Sequence, residues 1–180
     1  NYFSLPYLVF VNGTDITQAK DSLWQKMIFK KVYKTCQKII ANSHYIAQEA
    51  QALAGPSDKI LVIYPGINNS VFNEPADDLK DKKKKLGLGE NDLVVLSLGR
   101  LIEQKNFATI IKLWPDLLLD FPNLKYVIVG DGWKRNDLMK LAVSLGLEDK
   151  IKFVGMINNE DESKKSYYQI ADLFVSVSSV

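Results

Sequence analysis

Apolar residues along this chain fall into two alternating rhythms. Short continuous runs, rich in valine, isoleucine and leucine, recur at 7–11, 38–41, 59–64, 93–98, 125–129, 151–154 and 173–177. Runs of that length bounded by turn residues read as buried strands of a parallel sheet. Between them lie stretches with apolar residues three to four apart, which predict helices near 22–36, 43–53, 78–87, 106–119, 134–145 and 161–170. The 22–36 helix is expected to bury Leu23, Trp24, Met27, Ile28, Val32 and Tyr33, with Lys26, Lys30, Lys31, Lys34 and Lys38 turned mostly to the other side. Asp15 or Thr17 is a candidate helix cap, and Asn42-Ser43 a second. Pro115 falls inside a helical pattern and is expected to kink or shorten it. Strands alternating with helices imply βαβ units, an α/β class and right-handed crossovers.

Organisation follows from where this rhythm breaks. Residues 67–91 hold Pro75, Asp77-Asp78, Asp81 and the run Lys82–Lys85, a polar stretch expected to be a linker with one short helix. Residues 1–66 then form one α/β part and 92–180 another. Residues 173–180 end in an apolar, serine-bearing run and residues 7–11 begin in one, so a piece of a longer protein is expected.

Composition narrows the function less than the pattern does. Apolar residues make up 47% of the 180 and charged residues 24%, which excludes a disordered or collagen-like chain. Net charge is +2, from 23 basic and 21 acidic residues, too balanced to imply nucleic acid or an anionic membrane surface as main partner. Cys36 is the only cysteine, so no internal disulfide forms and a reducing, cytoplasmic setting is expected. No run approaches the roughly 20 apolar residues of a membrane span. His44, the only histidine, has no set of partners for a metal and is expected at a helix start on the surface.

Candidate chemistry gathers at strand ends. The 93–98 run stops at Gly99, followed by the fixed cation Arg100 and, five residues on, by Lys105. Ligands of open α/β sheets bind beyond the carboxyl ends of strands, and two cations there suit a phosphate. The next strands end in Val129-Gly130-Asp131-Gly132 and in Gly155-Met156, so three glycine ends outline one crevice. Neither a G-x-G-x-x-G nor a Walker A sequence is present, which disfavours a nicotinamide dehydrogenase and a P-loop enzyme. Trp114, Trp133, Tyr167 and Tyr168 read as packing residues.

Gly99-Arg100-Leu101 with Lys105, Val129-Gly130-Asp131-Gly132, Val154-Gly155, and Tyr168-x-x-Ala171-Asp172-Leu173-Phe174-Val175 with Ser176 form an ordered series. That series resembles the carboxy-terminal half of the retaining GT-B glycosyltransferases of family 4. Ala41-Asn42-Ser43, Tyr64-Pro65-Gly66-Ile67 and Phe10-Val11-Asn12-Gly13-Thr14-Asp15 resemble the end of that family's amino-terminal domain, its hinge and its H-G-x-D strand end. The resemblance implies a GT-B fold of Rossmann-like sheets, with residues 1–66 on the acceptor side and 92–180 binding the donor. It implies transfer of a sugar, with retention, from a nucleotide-diphosphate-sugar to a glycan or lipid-linked acceptor in polysaccharide, glycolipid or glycoconjugate synthesis. Arg100, Lys105 and Gly99 would hold the diphosphate, and Gly130, Asp131, Gly132, Gly155 and Met156 would line the nucleotide. No metal or other cofactor is implied, because the cations neutralise the leaving diphosphate.

Two departures stand out. The family's histidine is Asn12 here, which cannot titrate near neutral pH. The family's E-x(7)-E motif would follow Ser179, and the sequence ends at Val180. These 180 residues alone are therefore expected to transfer little or no sugar. A degenerate GT-B module that binds or regulates, or another nucleotide-sugar enzyme such as an epimerase, remains the alternative. A lipid-linked acceptor would place the lysine-bearing 22–38 helix against the inner face of a membrane as a peripheral contact.

Overall fold

The computed structural model describes residues 5–56, 58–66, 79–157 and 163–178. The chain divides into two compact units, residues 1–67 and 68–180.

In the first unit, strands β1 (Leu8–Val11), β2 (Lys38–Ala41) and β3 (Ile60–Val62) form a parallel sheet in the order β1-β2-β3. Helices α1 (Gly13–Asp21), α2 (Leu23–Thr35) and α3 (His44–Ala54) connect them. Val11, Ile39 and Ala41 meet Ile16, Ala19, Tyr33, Ile46, Ala50 and Leu53 in one core. Only alternate strand residues enter that core. Leu8, Phe10, Leu61 and Ile63 remain exposed, so β1 and β3 are half-buried strands rather than the fully buried ones their apolar runs predict.

Two helices here differ from expectation. The predicted 22–36 helix is α2, but a further helix, α1, precedes it from Gly13; its N-cap is Asn12 rather than Asp15 or Thr17, which lie inside the helix. The Asn12 backbone N–H donates to Asp15 Oδ2 at 2.9 Å, the reciprocal half of a capping box. Ser22 then caps α2 through its hydroxyl, which accepts from the Gln25 N–H. On α2 the predicted apolar face is turned outward: Leu23, Trp24, Met27 and Ile28 are 85%, 67%, 59% and 46% exposed, and Lys30, Lys31 and Lys34 share that side rather than opposing it, while Lys38 belongs to β2. The buried side is defined instead by Tyr33, whose hydroxyl donates to Gly55 O at 2.8 Å, with Phe29 against it. Cys36, buried, caps the carboxyl end of α2 rather than sitting within it. Ser43 Oγ accepts from Ile46 N–H and starts α3, with His44 exposed at its first position, both as expected.

The second unit is built on four parallel strands, β4 (Leu93–Leu98), β5 (Leu124–Val129), β6 (Ile151–Gly155) and β7 (Leu173–Phe174), in the order β6-β5-β4-β7. Helices α5 (Phe107–Asp120) and α6 (Arg135–Ser144) pack on one face, and α4 (Leu79–Lys85) and α7 (Ser163–Ile170) on the other. Val95, Tyr126 and Ile128 point to the first face; Val94, Leu96, Val127 and Val129 point to the second. With both faces covered, β4 and β5 need apolar residues at almost every position, which is why their runs are continuous.

Helix α5 continues through Pro115 to Asp120, so the proline does not shorten it. Trp114, just before it, stacks on Tyr126 with ring centroids 4.8 Å apart and anchors that stretch in the core. Trp133, expected to pack, is exposed and lies beside the Lys134 ammonium. Strand β7 pairs over two residues only, shorter than the 173–177 expected. Side chains extend its hold: Asp172 Oδ2 accepts from Val94 N–H at 2.7 Å, and Ser97 Oγ donates to Val175 O at 2.5 Å.

Candidate functional site

Strand order places a topological switch in the second sheet. From β4 the chain moves outward to β5 and β6, then returns to β7 on the other side of β4. The crevice at the carboxyl ends, where β4 sits between β5 and β7, is where open α/β sheets take ligands.

The three predicted glycine ends do lie on one edge. Gly99 N–H donates to Val129 O at 3.0 Å, and Gly130 N–H to Gly155 O at 2.8 Å. Gly130 and Gly132 are also required by the packing of the two loops. A Cβ on Gly130, at φ 143°, would stand 1.9 Å from Gly99 O. A Cβ on Gly132 would stand 2.4 Å from Leu101 O. Both glycines let the loop after β5 press against the loop after β4. Leu101, fully buried, locks that contact: its N–H donates to Asp131 O at 2.9 Å and its carbonyl accepts from Lys134 N–H at 3.0 Å. Arg100 is thus carried between two tied residues, Gly99 and Leu101, and its side chain is exposed.

A cavity of about 740 Å³ opens over these ends, within the usual range for small-molecule sites. Leu98, Gly99 and Arg100 line it from β4, Val129, Gly130 and Asp131 from β5, Met156 and Ile157 beyond β6, and Lys164 from α7. Asp131 Oδ1 accepts the Gly132 N–H at 2.7 Å, which holds the turn. Of the expected site residues, Gly99, Arg100, Gly130, Asp131 and Met156 share this cavity. Gly132 stands behind it, and Gly155 supports it by pairing with Gly130. Lys164 was missed by sequence reasoning: a lysine pair opening a helix carries no mark of which way the helix will turn it.

Lys105 faces the β7 side of the switch. It ends a 3₁₀ turn, Glu103–Lys105, and its Nζ donates to Ser178 Oγ at 3.3 Å, with Ser176 Oγ 3.3 Å from Ser178 Oγ. Asn106, the next residue, has φ 51° and turns the chain into α5, its Oδ1 accepting from Thr109 Oγ1. Asparagine is among the residues that adopt this left-handed conformation most readily.

Charge at the edge is unevenly committed. Lys134 Nζ lies 3.0 Å from Glu103 Oε2 and 3.5 Å from Asp137 Oδ2, and its pKa is raised chiefly by the hydrogen bond to Glu103. Arg100 and Lys105 have no carboxylate partner among the described residues. Both therefore carry a charge that no described carboxylate neutralises.

Asn12 belongs to the first unit. Beyond capping α1, its Oδ1 accepts from Asn42 Nδ2 at 3.2 Å, which ties the end of β1 to the end of β2. Among the described residues no three His, Cys, Asp or Glu side chains are grouped as a metal set, and no helix is long and apolar enough to cross a membrane.

The sequence matches the family described as Glycosyl transferases group 1 over residues 78–180 and the one described as Glycosyltransferase Family 4 over residues 3–71. An uncharacterized glycosyltransferase of Methanocaldococcus jannaschii is 29% identical over 179 residues, covering 95% of this chain and 45% of that protein. The alpha-monoglucosyldiacylglycerol synthase of Streptococcus pneumoniae is 34% identical over 120 residues, covering 65% of this chain and 27% of that protein. Among solved structures, Anabaena HepE in complex with UDP and glucose superposes with a TM-score of 0.77 at 21% identity, over 96% of this chain and 46% of HepE. The chain thus spans less than half the length of each of these relatives. Its two parallel-sheet units have the fold of GT-B glycosyltransferases, and the chain belongs to the group 1 glycosyl transferases.

Proposed function

We propose that this chain supplies the donor diphosphate site of a retaining glycosyltransferase that uses a nucleotide-diphosphate-sugar. The observation that carries this reading is the pair of cations without a carboxylate partner among the described residues, Arg100 and Lys105, on either side of the carboxyl end of β4. As the glycosidic bond to the donor breaks, negative charge grows on the leaving diphosphate. Fixed cations aimed there stabilise that charge without a metal. The nucleoside would lie over β5 and β6, against Gly130, Asp131 and Met156. The acceptor would be a glycan or a lipid-linked acceptor; one relative's name includes a diacylglycerol.

Calorimetric titration with UDP, GDP and ADP tests the reading. Each charge-assisted contact contributes about 1.5–3 kcal/mol, so Arg100→Ala should weaken binding of the preferred nucleotide by about 10-fold to 150-fold. Lys105→Ala should do the same. Unchanged affinity in the double variant would remove the diphosphate from this edge. A degenerate, purely binding module would take up the nucleotide and yet leave the donor sugar untransferred by the full chain.

A further inference from the structure

Helix α2 carries the feature that the site does not use. Its inward side is held by Tyr33, Phe29 and the Ser22 cap. Its outward side changes character along the axis. The first two turns present Leu23, Trp24, Met27 and Ile28 to solvent, and the last two present Lys30, Lys31 and Lys34. At 100° per residue these seven fall on one continuous side of the helix, opposite Phe29 and Tyr33. The whole of α2 holds four lysines and no acidic residue.

We propose that the outward face of α2 docks on an anionic lipid surface, with its apolar turns in the headgroup boundary and its lysines against lipid phosphates. Four large apolar side chains in a row on a helix surface form a patch that water does not favour. Tryptophan at such a place suits the membrane interface, where one end of the ring is apolar and the other wet. A lysine row without a single carboxylate complements a surface of uniform negative charge. The proposal extends the functional reading by one element only, since a lipid-linked acceptor would be met at that surface. Docking by α2 stands or falls separately from nucleotide binding at Arg100.

Co-sedimentation of the full chain with phosphatidylcholine vesicles, with and without phosphatidylglycerol, is the test. Binding is expected only with phosphatidylglycerol, and added salt should weaken it. Lys30→Glu, Lys31→Glu and Lys34→Glu together should weaken partitioning by about 100-fold. These positions are exposed, so thermal unfolding of the variant should match the parent. In a Trp133→Phe background, Trp24 is the exposed tryptophan, and its emission should shift to the blue on vesicle addition. Absence of binding to either vesicle overturns the proposal, as does binding that the triple variant leaves unchanged. A dimer in light scattering that Trp24→Ser dissociates would also overturn it, by making α2 a protein interface. Nucleotide titration of the triple variant separates the two ideas, because affinity at the Arg100 edge should not move.

Discussion

Gly130→Ala is the substitution most telling about how the site is built. At φ 143° an alanine is strained by itself, at a cost of about 1–2 kcal/mol. The added methyl group would also stand 1.9 Å from Gly99 O, where real contacts essentially never fall under 3.0 Å. The loops after β4 and β5 must therefore part by at least about 1 Å, and such overpacking costs about 1–3 kcal/mol more. Two backbone hydrogen bonds, Gly99 to Val129 and Gly130 to Gly155, lie in the region that moves. The total, about 2–5 kcal/mol, is a large part of the stability of a small domain. Gly99→Ala makes the matched control: its Cβ would meet nothing nearer than Phe107 Cζ at 3.9 Å, so its cost should stay within about 1 kcal/mol. Gly155, with φ 94° and nothing within 4 Å, should fall between them. Urea unfolding followed through the buried Trp114 would rank the three. Because the displaced loop carries Arg100, Gly130→Ala should also weaken nucleotide binding in protein that is still folded. A Gly130→Ala cost no larger than that of Gly99→Ala would refute the argument that this glycine exists for loop-to-loop contact.

Three further expectations concern the second unit. Burial raises the pKa of Tyr126 above its usual value of 10.0, with the Ser97 hydrogen bond opposing in part. The unfolded chain then releases that proton first, so stability is full below pH 10.0 and falls above it by about 1.4 kcal/mol per pH unit; Tyr126→Phe should flatten that limb in denaturant midpoints measured against pH. Asp172→Ala leaves the Val94 N–H without its carboxylate and should cost about 1–3 kcal/mol, with faster hydrogen exchange at β7 as the readout. Asn106→Val should lower stability by about 1–3 kcal/mol while Asn106→Gly changes it little, and equal effects in thermal unfolding would count against a left-handed requirement there.

What could be read beforehand divides by physical cause. β4 and β5 were legible because helices cover both faces, so their apolar runs are continuous and their ends fall at Gly99 and Gly130. β1 and β3 misled for the same reason inverted: Phe10 and Leu61 are apolar yet exposed. On α2, periodicity showed that Leu23, Trp24, Met27 and Ile28 share a side, but spacing carries no information on which side meets the core. Helix α1 went unread because it is polar and short, although Asn12 and Asp15, three apart, form a legible cap. At the site, Arg100 and Lys105 declared themselves by charge next to a strand end. Their separation onto the two sides of β4 depends on β7, whose partner lies 78 residues away. Lys164 depends on the rotation of α7, which no local pattern encodes.

The latch between β7 and β4 also orders events in time. β4, β5 and β6 follow one another closely in sequence, whereas Asp172 and Val175 must find Val94 and Ser97 across 78 residues. The entropy of closing so long a loop predicts that this pairing follows the local ones. Ser178, the partner of Lys105, travels with that last strand. On that order the two cations would mature separately: Arg100 would be set once the first three strands pair, and Lys105 would gain its Ser178 anchor when the sheet closes on its far side.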